Sequence, residues 1–92
     1  MKAHDAELID EFVDALWLAD GLAKNTLAAY RSDLALFAGW LGTRNIGLVD
    51  AGEADIDAWL AHLHQRKEKV RPTTLRRFQA SLRRFYRWLI EQ

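Results

Sequence analysis

Between Arg71 and Arg87 the chain carries six arginines (Arg71, Arg76, Arg77, Arg83, Arg84 and Arg87), with no lysine and no acid among them. A solvated helix face ordinarily mixes signs, because opposite charges one turn apart attract. A run of arginine alone points to an anionic partner. The guanidinium group grips phosphate oxygens bidentately and can read guanine edges, whereas lysine acts as a point charge. Thr73, Thr74, Ala80 and Ser81 are interleaved with the arginines. Small and hydroxylated residues there suit a helix seated in a major groove, with hydroxyls and N-terminal amides toward phosphate. A second cluster lies in "GLAKNTLAAYRSDL", residues 21–34. Lys24, Asn25 and Thr26 gather a cation, an amide and a hydroxyl at a helix start with free backbone N–H groups, which is a phosphate clamp by the same physics. Arg31, about one turn on, extends it. Helix capping by itself accounts for Asn25 and Thr26 but not for Lys24. The arginine face has a second reading, as a solubilising surface that pairs with acids of the first helix.

Charge distribution keeps both readings open. The formal net charge is zero, which taken alone argues against nucleic acid. Residues 1–65 nevertheless balance to −7 and residues 66–92 to +7. Such a dipole has a basic pole able to seat a polyanion, and an acidic pole able to neutralise it. Catalytic chemistry is poorly represented. Cysteine is missing, and no serine sits in a nucleophile-elbow or phosphate-loop setting. His62 and His64 are two apart on a helix, so they point to different faces and cannot share a metal as an i, i+4 pair would. No metal, cofactor or small-molecule ligand is expected. The N-terminus lacks an apolar signal-peptide core, and no apolar run reaches membrane-spanning length. A cytoplasmic protein with no membrane partner is the expectation.

The elements that position these groups are helical throughout. Ninety-two residues, half of them hydrophobic and ten aromatic, suit a single domain over 1–92. Leu8, Ile9, Phe12, Val13 and Leu16 give a first helix from about Asp5 to Ala19, stopped by Asp20-Gly21. A second helix starts at Asn25 or Thr26, either of which can cap it. Its seam is Leu27, Tyr30, Leu34, Phe37 and Leu41, and Gly42 ends it. Ala28, Ser32, Ala35 and Gly39 line the opposite face, small enough for another backbone to come close. After the loop "TRNIGLVDAG", Asp50 or Gly52 caps a third helix carrying Ile56, Trp59, Leu60 and Leu63, and Asp50 with Glu53 resembles a capping box. "RKEKVRP" is a charged connector, and Pro72 suits the first turn of a fourth helix. That helix has the cleanest seam: Leu75, Phe78, Leu82, Phe85 and Leu89. Opposite it lie Thr73, Arg76, Arg77, Ala80, Arg84 and Arg87. Tyr30 and Tyr86 fall on or beside seams and read as packing. The architecture predicted is an all-α, compact four-helix bundle of two crossed helical hairpins.

Taken together, "FVDALWLADGLAKNTLAAYRSDLALFAGWL", "IDAWLAHL" and "RPTTLRRFQASLRRFYRWL" resemble the N-terminal core-binding (SAM-like) domain of tyrosine recombinases and phage-type integrases. The resemblance runs from about Ile9 to Ile90. Its strongest part is "NTLAAYRSDL" coupled to "LRRFYRWL" farther along. With the first helix expected almost at the N-terminus and no additional arm-binding domain expected before it, the resemblance favours Xer-type members over lambda-type integrases. The resemblance implies a domain that closes one side of a C-shaped clamp on double-stranded DNA, with its second and fourth helices against the major groove. It implies DNA contacts at Lys24, Asn25, Thr26, Arg31, Thr73, Thr74, Arg76, Arg77 and Arg84, and packing roles for Tyr30 and Phe85. The remaining partners it implies are the parent protein's catalytic domain and other recombinase protomers. Cleavage and rejoining through a tyrosine nucleophile, assisted by arginines and histidine, would belong to a C-terminal domain outside this chain, so the fragment would not be an enzyme. One departure is Gln79, where an apolar residue is expected after the arginine pair, and it leaves open which of Arg76 and Arg77 faces out. A competing assignment is a helical protein-interaction module that binds an acidic partner. It predicts acids of the first helix covering the arginines, or an exposed apolar patch with Trp17, Trp40 or Trp88.

Overall fold

The computed structural model describes residues 1–66 and 70–92, and among these the regular structure is entirely helical. Four α-helices run in order: α1 (Ala3–Asp20), α2 (Lys24–Thr43), α3 (Glu53–His64) and α4 (Pro72–Ile90). A 3₁₀ turn, Leu48–Asp50, lies between α2 and α3. The connector between α3 and α4 includes residues 67–69, so that part of it lies outside the described residues.

The helix ends follow local chemistry, in places not as the sequence suggests. α1 stops at Gly21, whose φ of 59° is the left-handed conformation that glycine adopts without steric cost. The start of α2 is corrected. Ala23 is the extended residue before the helix, and the first intrahelical bond runs from Leu27 N–H to its carbonyl at 3.1 Å. Asn25 and Thr26 therefore lie inside the first turn, and no side chain caps the helix. At the other end α2 passes through Gly42 to Thr43, and Asn45 supplies the left-handed residue with φ 60°. Gly42 serves a close approach instead: a Cβ there would stand 3.0 Å from the Met1 nitrogen. Gly39, expected to admit a neighbouring backbone, has nothing within 4 Å of its Cβ position. At α3 the expected Asp50–Glu53 box is replaced by its neighbour two residues on. Gly52 is the N-cap, and its N–H donates to Asp55 Oδ2 at 2.8 Å. Pro72 opens α4 as predicted.

The apolar faces meet in one core. α1 packs on α2, α2 on α4, and α3 on both α2 and α4. This keeps the two expected helical hairpins, α1/α2 and α3/α4. Phe12, Phe37 and Phe85 have no exposed surface, and Phe12 meets Phe85 edge-on with ring centres 5.3 Å apart. Side chains of this size contribute about 1.5–3 kcal/mol each on burial. On α4, Phe78, Leu82 and Phe85 are buried while Gln79 is exposed, so the departure at Gln79 does not disturb the seam.

The 3₁₀ turn is held by side chains from both ends of the chain. Asp5 Oδ1 accepts the Leu48 N–H at 3.0 Å, and the Tyr86 hydroxyl donates to the Leu48 carbonyl at 2.8 Å. Leu48 itself is fully buried; Asp5 satisfies its N–H, and its carbonyl takes the Tyr86 hydroxyl and, at a longer 3.4 Å, the Ala51 N–H. Burial pushes the Tyr86 phenol well above its usual range, and the Asp5 and Asp55 carboxylates push it further. A phenol raised in the folded state contributes stability below the unfolded value of about 10, and loses it as pH climbs from there toward the folded value. Tyr86→Phe should cost about 1 kcal/mol at neutral pH, because the Leu48 carbonyl loses its shorter donor and keeps only the Ala51 N–H at 3.4 Å. The same variant should show a shallower loss of stability above about pH 10 than the wild type, measured by urea unfolding across pH. Parallel alkaline declines in both proteins would contradict the clamp.

Candidate nucleic-acid interface

The arginines of α4 divide according to what each touches. Arg77 turns inward. Its Nε and NH2 groups donate to Asp33 Oδ2 and Oδ1 at 3.0 and 2.8 Å, a two-pronged grip on a carboxylate with no exposed surface. Ser81 Oγ lies 3.2 Å from Asp33 Oδ2 and 3.0 Å from the Phe78 carbonyl, and its single proton serves one acceptor at a time. The hydrogen bond to Asp33 raises the guanidinium above its ordinary value, against the lowering effect of burial. Arg77 was predicted to contact DNA. Here it ties α4 to α2 while 44% of its side chain stays exposed, and Arg76 is exposed with no acid partner among the described residues.

Two more of the predicted contacts are engaged by acids of α1. Arg31 pairs with Asp10, and Arg84 pairs with Asp20. This is partly what the interaction-module alternative anticipated. It does not cover the whole face, because Arg76, Arg83 and Arg87 are exposed and have no carboxylate within ion-pair distance among the described residues. At about 100° per residue these three form one stripe, offset from Arg77 and Arg84 and opposite the buried seam of Phe78, Leu82 and Phe85. Residues 76 to 87 rise roughly 16 Å along the helix, about five nucleotides of one DNA strand. Arg83 and Arg87 were not among the predicted contacts. Helical spacing could have found them, since both continue the register of Arg76.

The two helix starts are not brought together. Asp33 faces Arg77 and Ser81, while Tyr30, earlier on α2, shares a cleft with Ala80, Arg84 and Arg87. Going back along α2 leads forward along α4, so the helices are antiparallel. Lys24, Asn25 and Thr26 therefore sit at one end of the pair, and Thr73 and Thr74 at the other. Lys24, Asn25 and Thr73 are exposed, while Thr26 and Thr74 are half-buried. Among the described residues neither helix has a side-chain cap, which leaves first-turn amides to meet an anion at both ends. The Arg76–Arg83–Arg87 stripe runs between them.

Other candidate chemistry is thin. Among the described residues no cluster of histidine, cysteine or acid could hold a metal ion. His62 stacks near Trp59 and Trp40, with ring centres 5.7 and 6.1 Å away, while His64 is exposed. Arg44 lies over the Trp40 ring at 4.3 Å. Trp40 and Trp88 pack against the core, and Trp17 is 55% exposed. No helix among the described residues is long and apolar enough to cross a membrane.

With the bundle and its basic face established, similarity to known proteins defines the class. Residues 9–92 match the phage integrase N-terminal SAM-like domain, and the chain belongs to that family. Its relatives include the tyrosine recombinase XerD of Pseudomonas putida, 47% identical over 93 residues, covering 100% of this chain and 30% of that protein. XerD of Shewanella oneidensis is 43% identical over 84 residues, covering 91% of this chain and 27% of that protein. XerD of Ralstonia nicotianae is 41% identical over 92 residues, covering 100% and 29%. The chain thus spans about 30% of the length of the curated relatives it matches. The matched region is the N-terminal part of XerD. No solved structure matches the chain.

Truncating Arg77 should separate fold from interface. Arg77→Ala leaves the Asp33 carboxylate buried without its cation, at about 1–3 kcal/mol of stability. The loss falls below that of a fully buried pair because the Arg77 side chain is 44% exposed. Arg76→Ala should stay within about 0.5 kcal/mol of wild type. Urea denaturation of both variants checks this, and equal losses at the two positions would contradict the division.

Proposed function

We propose that this chain grips double-stranded DNA as the core-binding domain of a site-specific tyrosine recombinase. Its family membership and its XerD relatives support the recombinase setting. The observation that carries the DNA-gripping part is the Arg76–Arg83–Arg87 stripe, exposed and without acid partners among the described residues. α4 would lie along a groove with this stripe toward the phosphates. The free amides at the starts of α2 and α4, with Lys24, Asn25, Thr26, Thr73 and Thr74, would hold the backbone at either end. Of the stripe, Arg76, with the small Ala80 beside it, would be the arginine to reach past the phosphates toward base edges.

In this reading the domain cuts nothing itself. Strand cleavage and rejoining through a tyrosine nucleophile, and the contacts that bring protomers together on DNA, belong to the rest of the recombinase. The domain works in the cytoplasm, on DNA, and needs neither metal nor cofactor.

Titration of a labelled duplex by the chain tests this. Arg83→Gln and Arg87→Gln should each weaken binding about equally on different sequences, and each should lower the slope of log affinity against log salt by about one. Unchanged affinity and slope in the double variant, with its helical circular dichroism intact, would reject the interface.

A further inference from the structure

We propose that Asp10 and Asp20 of α1 are intramolecular placeholders for phosphate, holding Arg31 and Arg84 in the free protein and releasing them to duplex DNA. The proposal rests on the DNA-gripping function above and adds a regulation of the same surface. Among the described residues three acid–arginine pairs join the helices: Arg31–Asp10, Arg77–Asp33 and Arg84–Asp20. They differ in kind. Asp33 has no exposed surface, and its loss of Arg77 would strand a buried charge. Asp10 and Asp20 are 61% and 42% exposed, so water can take over their solvation when the arginine leaves. Exposed pairs of this type are weak and exchange readily.

A phosphodiester presents the same kind of acceptor to a guanidinium as a carboxylate does, so each arginine can exchange one for the other and keep a charge-assisted hydrogen bond. A duplex carries one negative charge per about 1.7 Å of axis, a density that a lone carboxylate cannot match. Both arginines are well placed for the handover. Arg31 follows the Lys24–Thr26 cluster along α2, and Arg84 shares a cleft with Asp20, Tyr30 and Arg87. In the free state the domain offers Lys24, Arg76, Arg83 and Arg87, and withholds two further cations until a dense polyanion displaces the acids.

The test is an anisotropy titration of a labelled mixed-sequence duplex with the chain and its Asp10→Asn, Asp20→Asn and Asp14→Asn variants. Asp14 lies on the same helix, is exposed, and has no cationic partner among the described residues. Its substitution removes the same charge without releasing an arginine. Asp10→Asn and Asp20→Asn should each tighten binding roughly two- to fivefold beyond Asp14→Asn. In an Arg84→Gln background the gain from Asp20→Asn should disappear. Equal tightening by all three variants, or a gain that survives in the Arg84→Gln background, would overturn the placeholder role. That failure is distinct from failure of the parent reading, which would show as duplex binding indifferent to Arg83→Gln and Arg87→Gln.

Discussion

A carboxylate with no exposed surface has to find a cation or several donors inside the fold, and Asp33 finds Arg77 and Ser81. Much of the architecture depends on this one demand. The pair fixes the register of α4 on α2, since the fork of Arg77 reaches Asp33 from only one azimuth. With that register set, Phe78, Leu82 and Phe85 turn into the core and Arg76, Arg83 and Arg87 turn out. The orientation of the basic stripe is thus a consequence of an internal ion pair. Ion pairs of this sort add little net stability over an apolar contact, and their better-supported use is to specify one arrangement among several.

The remaining arginines are graded by their surroundings. Arg77 serves the fold. Arg31 and Arg84 share themselves with exposed carboxylates of α1, and Arg76, Arg83 and Arg87 are exposed with no carboxylate within ion-pair distance among the described residues. A net charge of zero therefore coexists with an exposed basic stripe. The acidic helix neutralises part of the basic one and leaves a stripe uncovered. The 3₁₀ turn clamped by Asp5 and Tyr86 anchors α1 and α4 near the same point, which keeps the acids and the arginines at fixed separation.

Helical periodicity carried most of the fold. Most of the seam residues of α1, α2 and α4 are buried in the core, with Tyr30, Leu75 and Leu89 packed at its edge, and Pro72 opens α4 as its chemistry requires. Helix ends were less legible. A capping preference at Asn25 or Thr26 lost to the backbone path set by Gly21 and Ala23, and Asp55 rather than Glu53 closes the start of α3. The arginine cluster was readable, but its division was not, because charge counts say nothing about which acid a guanidinium reaches. A signal was present all the same. Asp33 falls within the apolar seam between Tyr30 and Phe37, and Ser81 falls between Phe78 and Phe85. A polar residue inside each of two seams implies that the helices meet there, and that something nearby must satisfy the acid.

The most direct measurement is the side-chain NMR of the arginines during titration with duplex DNA, at low salt and again at about 200 mM, where phosphate-driven binding weakens sharply. The guanidinium Nε–H signals of Arg76, Arg83 and Arg87 should move with added DNA and return as salt rises, while that of Arg77 stays in place throughout. A moving Arg77 signal with Arg76, Arg83 and Arg87 unmoved would contradict the division on which the account rests, and would place any DNA contact on a different face of α4.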